Sequence, residues 1–144
     1  MLKLTKKADY GLIALKHLAV SGHPAASAKE IADAHGIPLP LLAKVLQRLA
    51  RGGVLQSLAG SAGGYRLTRN PATISALEVI RAIEGPVLLS SCHTPRGDCF
   101  QSGKCTVREP LRQVHEGIVK LLGTITVADL SRGEAENAAA MRVL

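Results

Sequence analysis

A chain of 144 residues is long enough for one domain, or for a compact domain with an appendage. Hydrophobic residues make up 47%, but Tyr10, Tyr65 and Phe100 are the only aromatics, so the core must be aliphatic, a balance that favours helices over sheets. The formal charge of +7 is concentrated: residues 1–85 carry 11 Lys/Arg against 5 Asp/Glu, and residues 86–144 carry 7 against 6. A basic half of this kind suits a polyanionic partner, because phosphate contacts release counterions; a merely soluble basic surface is the plainer alternative. No apolar run approaches the ~20 residues that span a bilayer. The stretch MLKLTKKADY has charges where a signal peptide would need its apolar segment. A cytoplasmic protein with no membrane partner is expected.

In chain order, residues 5–20 read as a helix with Leu12, Leu15, Leu18 and Ala19 as its apolar stripe. His23-Pro24 breaks it, since the residue before a proline is pushed away from helical angles. Ser27 and Glu30 have the spacing of a reciprocal capping box. They open a second helix, 28–35, which buries Ile31 and Ala32 and stops at Gly36. After a stiff turn, Pro40 suits the first position of a third helix that runs to Arg51. Leu41, Leu42, Val45, Leu46 and Leu49 form one face of it, and Lys44, Gln47, Arg48 and Arg51 the other. Gly52-Gly53 ends that helix.

Residues 54–58 and 65–67 read as the two strands of a hairpin around a Gly-rich loop. Ser75 and Glu78 repeat the capping-box spacing for a helix that ends near Glu84-Gly85. Residues 86–105 have no periodicity and hold Cys92, Cys99 and Cys105, a loop. Thr106 and Glu109 show the same spacing once more, ahead of Val107, Leu111, Val114, Ile118 and Leu121. Those five form a heptad seam, which suits a homodimer through a helix over 107–122; a helix packed on its own domain is the alternative. The division expected is a DNA-binding unit at 1–85, a cysteine loop at 86–105, a dimerisation region at 106–131 and a flexible tail at 132–144.

Helix, tight turn, helix, then Gly-rich hairpin is the order of a winged helix-turn-helix, here mainly α with a small β-hairpin wing and a long dimerisation helix. The third helix has an apolar back and a cationic front narrow enough for the major groove of double-stranded DNA. Ser27, Leu39, Pro40, Lys44, Gln47 and Arg48 are the residues expected at DNA from the helix pair, and Ser61, Gly63 and Tyr65 from the wing. Lys44 and Arg48 suit guanine edges or phosphates, and Gln47 suits adenine or a phosphate.

The cysteines supply three thiolates from one short stretch, and an odd count in a cytosolic chain argues against a disulfide framework. Soft thiolates select iron–sulfur clusters, zinc or cuprous copper; a thiol–disulfide switch and a metal-free loop are the other readings. The chain has no fourth cysteine. An enzyme using Cys92 with His93 lacks a third group to orient the pair.

The stretches LTKKADYGLIAL, LARGGVLQSLAGSAGGYRL and ISALEVIRAIEGP, with three cysteines after them, resemble the IscR/NsrR/SufR-type bacterial regulators over about residues 1–130. The subgroup that regulates the SUF iron–sulfur assembly system is the most similar, with MLKL…ADY, EGP and a VADL-like segment closing a C-terminal helix pair. The resemblance implies a homodimeric transcription regulator with an iron–sulfur cluster, 2Fe–2S or 4Fe–4S, at Cys92, Cys99 and Cys105. Its state would tune operator affinity. A regulator responding to nitric oxide or thiol oxidation at the same cysteines is the alternative. One branch of the family has a histidine three residues past the last cysteine, where this chain has Arg108, which cannot ligate. Another uses an acidic residue on the partner's first helix, a position matching Asp9. His93, Asp98, Glu109 and an external small molecule are the other choices for the fourth ligand. The chain departs from the family in Ala59 at the wing base, Ala43 in the third helix, and Pro38 and Pro40 where serines are common, so its operator need not be the family's usual one.

Overall fold

The computed structural model describes residues 4–20, 24–60, 63–87 and 106–132. Helix α1 (Lys6–Val20) starts after Thr5, whose hydroxyl oxygen accepts a hydrogen bond from the Ala8 backbone N–H at 3.1 Å. Its buried stripe is Ala8, Gly11, Ala14, Leu15 and Leu18, while Leu12 and Ala19 are only half-buried. The stripe is therefore rotated from the leucine row toward the smallest side chains. Close packing is the reason: a Cβ on Gly11 would meet the end of the Ile83 side chain and press on Val45, so α1 lies close against its neighbours there.

Helix α2 (Ala28–His35) is capped by the Ser27 hydroxyl, which accepts from the Glu30 N–H at 3.1 Å. Gly36 ends it in the left-handed region at φ 65, where a glycine carries no Cβ penalty. Helix α3 (Leu39–Arg51) begins one residue before the expected proline, with Pro38 at its cap position. Leu42, Val45, Leu46 and Leu49 are buried on its inner face. Strands β1 (Leu55–Leu58) and β2 (Gly64–Leu67) pair antiparallel, Leu55 opposite Leu67 and Leu58 opposite Gly64. Tyr65 also exchanges both backbone hydrogen bonds with Ala26, at 2.8 and 3.1 Å, which fastens the hairpin to the entrance of α2.

Helix α4 (Ala76–Glu84), capped by Ser75, packs on α1 and α3 and closes the core with Val79, Ile80 and Ile83. Helix α5 spans Arg108–Thr124. The expected capping box at Thr106 and Glu109 does not form: the cap position is Val107 with no side-chain bond, and the Glu109 carboxylate pairs with Arg112. A complete box stands instead at Thr126 and Asp129, before the short α6 (Val127–Leu130). Val127 is fully buried, and its N–H bonds the Ile74 carbonyl at 2.9 Å while the Ala76 N–H bonds Ile125 at 2.7 Å. Those bonds clip the end of α5 to the start of α4. Nothing along α5 itself is buried, and Val107, Val114 and Leu121 lie exposed at heptad spacing. Among the described residues no helix is long and apolar enough to cross a membrane.

Candidate nucleic-acid interface

Four buried residues fix the rotation of α3, and that rotation decides what it presents outward. Pro40, Lys44, Gln47 and Arg51 follow one another at steps of four, three and four on the face opposite the core, and all are exposed. Leu39 and Leu41 flank Pro40 at the N-terminal end, 42% and 39% exposed, an apolar tip of the kind that meets thymine methyl groups. The sequence pattern puts Leu41 on the buried side; it sits instead at the rim, since Leu42, Val45, Leu46 and Leu49 already fill the inner face.

Arg48 has a different setting from its neighbours. Its Nη1 donates to the Ile83 carbonyl at 2.6 Å, tying α3 to the C-terminal end of α4. A cation there satisfies a carbonyl that α4 leaves unpaired and complements its helix dipole. Ser27 keeps its cap bond to Glu30, Tyr65 is half-buried against the core, and Gly63 stands where a Cβ would be 2.8 Å from two carbonyl oxygens. Ser61 lies outside the described residues. Two exposed cations fall outside the set of DNA contacts expected from the sequence. Arg51 completes the outward row of α3, the cationic face on which helical spacing already places it. Arg66 is exposed on the wing strand, held by its Nε bond to Gln56 Oε1 at 2.8 Å; its register opposite Gln56 is visible only once the hairpin is formed.

Cys92, Cys99, Cys105, His93 and Asp98 lie outside the described residues. Asp9 is in the first turn of α1, half-buried, and its carboxylate has no hydrogen-bond or ion-pair partner among the described residues. One helical turn before it, Thr5 donates its hydroxyl hydrogen to Glu84 Oε1 at 2.7 Å. Glu84 is the last residue of α4, so the start of α1 and the C-terminal end of α4 are held side by side. Glu109 is engaged by Arg112, which holds its carboxyl below the usual carboxylate range. Elsewhere, His17 Nδ1 and His35 Nε2 are 3.0 Å apart between α1 and α2, with rings edge to face.

A helix pair with a cationic, exposed second helix and a two-stranded wing defines the winged-helix class of DNA-binding transcription regulators. A family model, Rrf2, described as an iron-dependent transcriptional regulator, matches residues 4–133. The chain belongs to this family. It is 33% identical over 133 residues to the HTH-type transcriptional repressor NsrR of Streptomyces coelicolor, covering 90% of this chain and 88% of that one. It is 29% identical over 134 residues to the HTH-type transcriptional regulator IscR of Xenorhabdus nematophila, covering 92% and 81%. Among solved structures, CymR, the global cysteine regulator of B. subtilis, superposes with a TM-score of 0.71 at 29% identity, over 91% of this chain and 97% of that one. The family and these relatives make the chain a DNA-binding transcription regulator.

Proposed function

We infer that this regulator works as a homodimer whose operator affinity is set by an iron–sulfur cluster, and that it controls iron–sulfur assembly genes of the SUF type. The observation that carries the reading is the confinement of all three cysteines to the segment between α4 and α5, in a chain whose family is described as iron-dependent. The donor set fits: three soft thiolates suit iron, and Asp9 offers a carboxylate not engaged by any described residue. Cys92, Cys99 and Cys105 would hold the cluster together with Asp9 of the partner subunit. When bound, the cluster supplies a redox-sensitive group whose loss reports iron supply or oxidation.

The chain's own residues do the rest. Val107, Val114 and Leu121, with the half-buried Leu111 and Ile118, form the seam through which α5 meets its copy, which would otherwise leave an apolar row in water. Lys44, Gln47 and Arg51 read or grip DNA from α3, with Leu39 and Pro40 at its tip and Gly63 and Arg66 on the wing. A carboxylate on α1 that ligates across the dimer would join one chain's cysteine segment to the other's DNA-reading unit. Release of that tie changes the spacing of the two α3 helices, and the spacing determines which operators fit. The test is spectroscopy and footprinting on anaerobically purified protein. Brown protein whose visible absorbance is lost in Cys99→Ser, and bleached faster in Asp9→Ala with the dimer intact, is expected. A colourless, zinc-containing preparation refutes the cluster.

A further inference from the structure

Beside the outward face of α3 is an open cleft of about 510 Å³ between the C-terminal ends of α3 and α4. Arg48 and Arg51 form one wall, Arg81 and the turn from Ala82 to Gly85 the other. The three guanidiniums are in different states. Arg48 is pinned to the Ile83 carbonyl, while Arg51 and Arg81 have no hydrogen-bond or ion-pair partner among the described residues. Among the described residues the one carboxylate lining the cleft, Glu84, already accepts from Thr5 at 2.7 Å. Two guanidinium forks without a partner among the described residues line a common space with a third that is fixed to a backbone carbonyl, which leaves an excess of positive charge and of planar N–H donors. That chemistry matches a phosphate group, which takes two forks at once.

We propose that this cleft is a phosphate-binding site, and that the phosphate is one of the DNA backbone running past the end of α3. Arg51 belongs both to the cleft and to the row of Lys44 and Gln47, so the site continues the reading face without a break. It adds a contact from α4, an element that the helix-turn-helix reading leaves with a purely structural role. The proposal rests on α3 facing DNA, and the experiment separates the two. A free phosphate ester offers the same chemistry and is distinguished by the second arm.

The full-length protein is titrated against a duplex from its own upstream region and against a random duplex, over about 50 to 200 mM salt. Each lost phosphate contact flattens the slope of log affinity against log salt by about 0.9. Arg81→Ala and Arg51→Ala are each expected to do this on both duplexes, with a several-fold loss of affinity at low salt, and Arg81→Lys to restore most of the slope. In the second arm, inorganic pyrophosphate is titrated into the same proteins, followed by amide chemical shifts around Gly85. Pyrophosphate shifts lost in the variants, with unchanged salt slopes, keep the site but assign it to a free phosphate ester. Unchanged slopes together with no pyrophosphate shifts overturn the proposal. Lys44→Ala is the control: if it alone weakens DNA binding, α3 is correctly placed and the cleft is wrong; if neither it nor the arginine variants weaken binding, the placement of α3 fails and the assignment of the cleft to DNA fails with it. Because Arg81 also sits in the last turn of α4, a lowered melting temperature in Arg81→Ala is checked against Arg81→Lys, which retains the charge at the helix end.

Discussion

Arg48 and Lys44 are one helical turn apart on α3, yet the structure gives them different work, and substituting each to alanine should separate stability from DNA affinity. Arg48→Ala removes a charge-assisted bond of 2.6 Å to the Ile83 carbonyl. Such bonds are worth about 1.5–3 kcal/mol where water is excluded. Here the arginine is exposed, so water replaces part of the interaction, and about 1 kcal/mol is the loss expected after that discount. For a domain of this size that is a fall of roughly 2–4 °C in melting temperature. Lys44→Ala touches no partner among the described residues and should leave melting unchanged within about 0.5 kcal/mol. On DNA the order reverses: Lys44→Ala flattens the salt dependence by about 0.9, and Arg48→Ala weakens binding less. Thermal melts at fixed protein concentration and fluorescence anisotropy on one labelled duplex measure both quantities. If Arg48→Ala melts like wild type and loses DNA binding as fully as Lys44→Ala, Arg48 faces the groove and its tie to α4 is not maintained in solution.

Other consequences are as direct. Gly64→Ala should destabilise the fold by about 2–3 kcal/mol, measured by urea unfolding, because its Cβ would stand 2.6 Å from the Ala26 carbonyl oxygen and 3.0 Å from the Ser27 nitrogen, backbone that moves only if the wing detaches. Ser27→Ala should cost about 1 kcal/mol through the lost cap, and Ser27→Asp should recover it; equal melting of all three proteins would remove the capping role. Val114→Glu should convert a dimer to a monomer in sedimentation velocity while leaving the helical circular dichroism signal in place, since Val114 is 48% exposed and supports no core. The His35 imidazole is held below its ordinary 6.5 by partial burial, then by His17 and Lys16. The unfolded chain therefore takes up that proton first, and stability is full above 6.5 and falls as pH drops through it. His35→Gln should flatten the decline in melting temperature between about pH 7.5 and 5.5, and an unaltered decline would place its origin elsewhere.

Element order was legible because each boundary carries a local signal: a capping hydroxyl at Ser27 and Ser75, a glycine at Gly36 and Gly85, a proline at the head of α3. Interhelical distance was not. Periodicity ranks Leu12 above Gly11, but only the packed structure shows that Ile83 fills the space where Gly11 has no Cβ. The box at Thr106 and Glu109 failed for a related reason. The spacing was present, but Glu109 has Arg112 and Arg112 has Glu116 within reach on the same helix, and the ion pairs take the carboxylate. Thr126 and Asp129 had the weaker-looking motif, with Asp in place of Glu, and formed the whole box because Val127 between them is pulled into the core. For the interface, the outward row of α3 followed from its buried row. Arg48's bond to Ile83 depends on how α4 crosses α3, a relation between residues 35 apart that no local pattern encodes.

That crossing makes the last turn of α4 the structural link between the two halves of the proposed device. Ile83 fills the gap left by Gly11 of α1, its carbonyl holds Arg48 of α3, and Glu84 holds Thr5 ahead of α1. The cysteine segment follows directly on Gly85. A pull on that segment therefore acts first on a turn that both the reading helix and the Asp9-bearing helix use as an anchor. Changing the anchor while leaving the cysteines and α3 intact should uncouple them. Thr5→Val removes the hydroxyl that Glu84 accepts from, along with its bond to the Ala8 N–H, and keeps the shape of the side chain. With the cluster loaded normally, as judged by its visible spectrum, DNA affinity should then differ less between holo and apo protein than in wild type. An unchanged difference would mean that the signal reaches α3 by another path, and α5 across the dimer seam would be the next place to look.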